Sequence, residues 1–325
     1  MNETRRQVLA ALADGPVGGP TLADELDVSR AAVWKHVEAI REAGFGVESD
    51  DDGYRLTSVP AYGGLAIAHG LDAPYEIEYH ESLASTNTRA RDLADGGAGD
   101  VVVVADEQTG GRGRLDREWA APPGGVYASI LTRPTVPPSQ VPLATLAAAV
   151  AVTRAAREAG VDARIKWPND VLVAVDEPTD GPDGDGNAEY RKLAGILTEM
   201  EGEADRVSWL VVGIGVNANV DADDLPPTAT SLRERGGADV DRRVFLQRVL
   251  EEFHDLGTDA AAVLPAWREH ALTLGQRVRV ETPTGEVVGE AVDIEPPGAL
   301  LVETADGVVR VSAGDCEHRR PVDAS

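Results

Sequence analysis

The stretch VPLATLAAAVAV, residues 141–152, restricts this chain more than any other feature, because twelve consecutive residues carry no charge. A bilayer span needs about twenty apolar residues, so this run is too short to cross one, and Arg154 follows at once. As a helix on an apolar 3.6-residue pattern it is greasy on most of its circumference and has to be covered on several sides. The chain must therefore build a layered core around it. With 325 residues there is material for two or three domains. The N-terminus, MNETRRQVLAALADG, has only a short apolar stretch, broken by Asp14, with no small-residue cleavage site after it. A cytoplasmic protein without membrane contact is expected.

On either side of this core segment the hydrophobic period changes. Residues 1–60 read as helix, helix, turn, helix and hairpin. Val8, Leu9 and Leu12 mark the first helix, Thr21 can cap a second that ends near Leu26, and Asp27-Val28 makes the turn. Ser29 can cap the next helix, on which Val33, Val37 and Ile40 share one face, while Arg30, Ala31, Trp34 and Lys35 lie opposite. Asp52-Gly53 supplies a tight turn for a two-stranded wing. This is the shape of a winged helix-turn-helix, whose second helix can enter a major groove. A Pro/Gly-marked linker, 61–75, leads to a domain of mixed strands and helices over 76–271. From 272 to 325 short alternating strands between turns predict a small β-barrel. The fold class is α+β. The acidic Gly/Asp/Pro loop Asp176 to Tyr190 cannot bury surface and is expected to be mobile.

Lys+Arg 30 against Asp+Glu 56 leaves a net charge of -26, which repels nucleic acid and strains the compact state unless salt screens it. At molar ionic strength the Debye length is roughly 3 Å, so the balance points to a halophilic source, such as an archaeon. Only Lys35, Lys166 and Lys192 are lysines. One cysteine, Cys316, excludes an internal disulfide, and six scattered histidines predict no built-in transition-metal cage. No metal site is assigned; a metal is expected to arrive with the substrate.

Positive charge gathers in QTGGRGRLDREW, residues 108–119, which is too rich in glycine and arginine to be packed. Its glycines expose N–H groups, and Arg112 and Arg114 add forked donors suited to phosphate or carboxylate. The loop either holds an anion or is simply solvated; the P-loop spacing is absent. KWPND, 166–170, is a Trp-Pro corner gathering Lys166, Asn169 and Asp170, either structural or catalytic. RKLAGIL sets Lys192 at the mouth of a buried strand that alternates toward Ala194 and Ile196, where an anionic partner or ligand is needed to offset its burial.

These motifs, with STN at 85–87 and GIGVN at 213–217, occur in an order that resembles the biotin–protein ligases. With the winged helix and the barrel, the whole chain is similar to the bifunctional form that is also the biotin operon repressor. The resemblance implies a central sheet like that of class II synthetases, an SH3-like C-terminal barrel, and an ATP- and Mg²⁺-dependent ligase that makes biotinyl-adenylate and passes biotin to a lysine of a carrier-protein domain. It assigns Ser85, Thr86, Asn87 and Gln108 to the biotin ureido group, and Arg112, Gly113 and Arg114 to the loop over biotin and the adenylate phosphate. Trp119, Lys166 and Asn217 fall to the nucleotide, and Lys192 to the biotin carboxylate. Ser85 also suits a helix cap, and Asn217 a turn. Asp170 either orients the acceptor lysine and takes its proton or braces the corner.

The chemistry agrees: two anions meet only with positive charge between them, and a mixed anhydride has to be shielded from water. Lipoate ligation shares this chemistry, and a ligand sensor without catalysis is the reading from another class. STN with GGRGR favours biotin. Residues 1–60 carry six basic and eleven acidic side chains, about -5 net, and the wing bears Asp50, Asp51 and Asp52, so non-specific attraction to DNA is expected to be poor. The resemblance also implies a homodimer, since a two-fold operator needs two winged helices.

Overall fold

The computed structural model describes residues 3–175 and 189–318; the stretch expected to be mobile, apart from Glu189 and Tyr190, lies outside them. Three N-terminal helices, α1 (Glu3–Ala13), α2 (Gly19–Glu25) and α3 (Arg30–Glu42), precede a hairpin of β1 (Gly46–Asp50) and β2 (Gly53–Ser58). Val8, Leu9, Leu12, Val33, Val37 and Ile40 form their core. Ser29 caps α3, accepting from the Ala32 amide at 3.2 Å. Thr21 does not cap α2: the helix begins two residues earlier, with Pro20 in its first turn, where a missing N–H costs nothing. Asp50 pairs with Gly53, so the wing turns on Asp51-Asp52. At φ +121° Gly53 lies against the Val17 carbonyl, which a β-carbon would approach to 2.3 Å.

The expected linker contains a short helix, α4 (Gly64–Ala68), whose consecutive residues are shared out: Ala66 belongs to the N-terminal core and Ile67 to the central one.

The central sheet has seven strands: β3 (Glu76–Leu83), β4 (Val101–Gln108), β5 (Val126–Thr132), β6 (Ala163–Lys166), β7 (Asp170–Ala174), β8 (Tyr190–Gly202) and β9 (Val207–Val216). Their order is β3-β4-β5-β9-β8-β7-β6, with β3 and β4 parallel and every other neighbouring pair antiparallel. Helix α5 (Thr86–Asp95) packs over β4, β5 and β9. The long apolar run becomes α6 (Pro142–Glu158), covered by the sheet and by α8 (Arg242–Leu256) and α9 (Ala260–His270), with the one-turn α7 (Leu232–Gly236) before them. Full burial of a side chain such as Leu146 stabilises by roughly 1.5–3 kcal/mol, and α6 buries twelve residues.

The C-terminal strands β10 (Arg277–Thr282), β11 (Gly285–Glu295), β12 (Ala299–Thr304), β13 (Gly307–Val311) and β14 (Asp315–His318) form an antiparallel sheet of order β13-β12-β11-β10-β14. Its buried face, including Val278, Ile294 and Val302, is continuous with the core around α6. Trp167 of the KWPND corner joins the two. Its indole donates to the Gly298 carbonyl at 3.0 Å and its amide to Thr273 Oγ1 at 2.9 Å.

Candidate functional site

A cavity of about 240 Å³ opens between β8, β9, the start of α5 and the 108–119 loop. GIGVN explains its floor: Gly213, Gly215 and Asn217 face it, while Ile214 and Val216 alternate into the core. Gly195 of β8 pairs with Gly215, leaving bare backbone on two adjacent strands. The Trp119 indole lies on that platform. A β-carbon at Gly215 would come within 2.9 Å of it, and one at Gly195 within 3.2 Å.

Lys192 reaches this face only because β8 is irregular. Val171 pairs with Ala194 and Leu172 with Lys192, so Leu193 is an extra residue. Simple alternation would put Lys192 on the side of Ala194 and Ile196, which the structure buries in the core. The bulge lets Leu193 and Ala194 both go inward and turns Lys192 toward Gly195, a correction to the alternating register. Lys192 Nζ is 2.7 Å from Asp170 Oδ1 and 5.1 Å from the centre of the Trp119 ring. The Asp170 contact is a charge pair rather than an aligned hydrogen bond, since the same oxygen has no hydrogen-bond partner.

At the closed end, Thr86, Asn87 and Ser129 are 4%, 7% and 0% exposed. The Thr86 amide donates to Gln108 Oε1 at 2.8 Å. Asn87 Nδ2 donates to Glu199 Oε2 at 2.7 Å and to the Leu197 carbonyl at 3.3 Å. Ser129 Oγ donates to Asn87 Oδ1 at 2.6 Å and lies 2.7 Å from Thr86 Oγ1. Gly213 has to be bare here: a β-carbon would sit 2.1 Å from Asn87 Oδ1. Ser85 caps α5, accepting from the Thr88 amide. Sequence reasoning missed Ser129 and Glu199; a small hydroxyl residue between Ala128 and Ile130 in mid-strand was the available sign.

The 108–119 loop is more ordered than its composition suggests. Gly113 donates to the Arg117 carbonyl at 2.8 Å and Trp119 to that of Gly111 at 3.0 Å. Arg114 donates to Asn169 Oδ1 at 2.9 Å and to the Gly314 carbonyl at 2.8 Å, while Arg117 pairs with Asp315. Asn169 in turn donates to the Ile196 carbonyl at 2.9 Å. Arg112 and Gly113 line the cavity. Asn217 is 1% exposed, donates to the Thr230 carbonyl at 3.0 Å, and keeps a buried Oδ1 without a partner. Lys166, expected beside the nucleotide, is not among the lining residues; it lies toward Cys316 and His318. Burial, and secondarily the Lys166 charge, pushes the His318 imidazole down to about 4.

On the N-terminal helices, Arg30, Ala31, Trp34 and Lys35 are exposed on α3, Trp34 by 55%. Arg41 is tied into the wing, donating to the Val47 carbonyl and to Ser49 Oγ. Among the described residues no helix is long and apolar enough to cross a membrane.

An anion-facing lysine, an arginine-bearing loop and a buried polar end around one cavity define a ligase-type site beside a helix-turn-helix. The family model of the biotin/lipoate A/B protein ligases matches residues 79–217, that of the biotin protein ligase C-terminal domain 273–319, and a helix-turn-helix domain 4–55. The bifunctional ligase/repressor BirA of Bacillus subtilis is 37% identical over 320 residues, 93% of each chain. The biotin–[acetyl-CoA-carboxylase] ligase of Mycobacterium tuberculosis is 36% identical over 261 residues, 75% of this chain and 90% of its own. A biotin protein ligase from Aquifex aeolicus, solved with biotin and ATP, superposes with a TM-score of 0.59 at 27% identity, covering 75% of this chain and 98% of that one. The chain belongs to the biotin–protein ligase family, in the form that carries an N-terminal helix-turn-helix domain.

Proposed function

We propose that this chain activates biotin with ATP to biotinyl-5'-AMP and transfers it to a lysine of a biotin carboxyl-carrier domain, and that its N-terminal domain represses transcription in response to biotin. The observation that carries this reading is the union, around one cavity, of Thr86 and Gln108 at a closed polar end, Lys192 beside a bare glycine floor, and the arginine-bearing loop. Biotin enters ring first, and its carboxylate meets Lys192, whose charge lets it approach the α-phosphorus of ATP. Mg²⁺ enters with the triphosphate as part of the substrate. The carboxylate oxygen bonds to phosphorus, pyrophosphate leaves, and a mixed anhydride remains.

The adenine lies against Trp119, and the unpartnered Asn217 Oδ1 supplies an acceptor for an amino group. Arg112 and Arg114 keep the loop closed so that water is excluded. The acceptor amine then attacks the carbonyl carbon and AMP leaves. Asp170 holds Lys192 in place, and as AMP departs it is the carboxylate within reach of the amine's proton. Ser85 serves as the cap that fixes Thr86, and Lys166 is assigned to the seam with the C-terminal domain, a small SH3-like sheet.

Transcriptional control fits the exposed face of α3, with Ser29 capping it and Arg30, Ala31, Trp34 and Lys35 directed outward. Because the wing is acidic, operator recognition in this reading relies on base contacts and on a homodimer in strong salt, the cytoplasm of a halophile.

The test is a discharge assay in molar salt with ATP, Mg²⁺, a carrier domain and labelled biotin or lipoate. Labelling of the carrier by biotin is expected. Labelling by lipoate alone, or tight biotin binding with no adenylate formed, overturns the reading. For the repressor, anisotropy of labelled operator fragments should rise with enzyme only when biotin and ATP are present; no rise at any salt removes that part.

A further inference from the structure

Ser129 occupies the middle of β5, opposite Gly213 on one side and Val103 on the other, and it is wholly buried. Its strand neighbours Ala128, Ile130 and Leu131 are apolar and serve the cores above and below the sheet. A hydroxyl in that setting has to be satisfied, and among the described residues it is satisfied by the first turn of α5: Asn87 Oδ1 at 2.6 Å and Thr86 Oγ1 at 2.7 Å. Asn87 cannot turn away from it. Its Nδ2 already serves the Glu199 carboxylate and the Leu197 carbonyl, and Arg91 stands 3.4 Å from the other Glu199 oxygen, so the amide oxygen is left facing Ser129. Thr86 is thus anchored by its hydroxyl, while its amide and hydroxyl both reach Gln108 Oε1, at 2.8 and 3.1 Å. With Oε1 so engaged, Gln108 presents Nε2 as the donor of the closed end.

We infer that Ser129 is a positioning residue for biotin: without touching the ligand, it fixes Thr86 and through it the Gln108 amide, and so sets the donor and acceptor pattern that reads the ring. A ligand whose ring has no hydrogen-bonding groups leaves that pattern unpaired, so the same residue sustains discrimination against lipoate. This inference rests on the biotin-activating function proposed above. It also gives Asn87 and Glu199 a different part from ligand contact, as the brace behind Ser129.

Wild type, S129A, T86V and the double variant are compared in biotin-dependent pyrophosphate release, with thermal midpoints recorded. A wild type that does not adenylate biotin refutes the function rather than the positioning. Given an active wild type, S129A should raise KM for biotin roughly tenfold, the loss of about one hydrogen bond. KM for ATP and the rate of transfer from preformed adenylate should not change. In the T86V background S129A should add nothing to the biotin KM, because the path through Thr86 is already cut. An unchanged biotin KM in S129A, equal losses for biotin and ATP, or independent additive effects in the double variant each overturn the assignment. S129T, which keeps the hydroxyl, should stay within roughly threefold of wild type; a loss as large as that of S129A counts against it.

Discussion

At the closed end of the cavity, Thr86, Asn87 and Ser129 are nearly inaccessible and their polar groups find partners on β4, β5, α5 and β8. At the mouth, Arg112 is exposed, and Leu115 is 72% exposed at φ +56°, a backbone region costly for a branched side chain. Beyond the loop's own backbone bonds, what holds the mouth in place comes from elsewhere in the chain: Gly314 and Asp315 from the C-terminal domain, and Asn169 from the corner. One end is finished by local packing before any ligand arrives. The other depends on contacts bridging two domains, fewer and more exposed to solvent. A site of this kind can select its first ligand on a rigid template and still open its mouth for the second substrate and for release.

The contrast can be broken most severely at the one residue that serves both ends. Lys192→Ala should cut adenylation by about 10²–10³-fold, the scale of losing a transition-state donor, with the fold intact by circular dichroism; pyrophosphate release at the wild-type rate would refute the role. Gly213→Ala tests the closed end alone. A methyl 2.1 Å from Asn87 Oδ1 has to displace the amide, and the biotin KM should rise more than tenfold, on the order of 1–3 kcal/mol of overpacking, while the ATP KM stays put.

Asn169→Ala tests the mouth. With Arg114 losing one anchor, biotinyl-adenylate should escape several-fold faster by dilution-chase, with biotin affinity unaltered; equal retention would show that the loop does not need this strut.

The smallest effect concerns the seam. Thr273 Oγ1 accepts from the Trp167 amide and lies 3.1 Å from His318 Nε2, in a buried setting that disfavours a second proton on the imidazole. Because the folded imidazole titrates near 4, below its ordinary value of 6.5, the folded state binds fewer protons between those values. Stability should be full above about pH 6.5 and decline as pH falls toward 4. His318→Gln should flatten that part of the profile in thermal melts, and an unchanged slope would discount the histidine.

Much of this was legible in the residues and part of it was not. GIGVN alternates small and apolar side chains in a way that marks a strand with one bare face, and Ser29 and Ser85 both cap the helices they precede. Thr21 misled because Gly18-Gly19-Pro20 offered an earlier helix start that needed no side-chain cap. The linker hid α4, too short for periodicity to register and stabilised by Gln247, which donates to the Ile67 and His69 carbonyls at 2.8 Å. Arg114 could be read as a charged loop residue, but not as a ligand of a carbonyl 200 residues onward, since contacts across domains leave no local pattern. Ser129 was hidden by its neighbours, being one hydroxyl inside a strand that otherwise reads as core.

The extra residue in β8 has a consequence for how this segment can change over generations. Substitutions around Leu193 that keep its bulk leave the register alone. Removing Leu193 would restore strict alternation and still leave Lys192 on the face of Gly195, whereas straightening the bulge with all residues kept would swing Lys192 beneath α6, where an ammonium has no partner. What the segment has to keep is parity rather than length: any change is tolerated that leaves Lys192 on the face of Gly195.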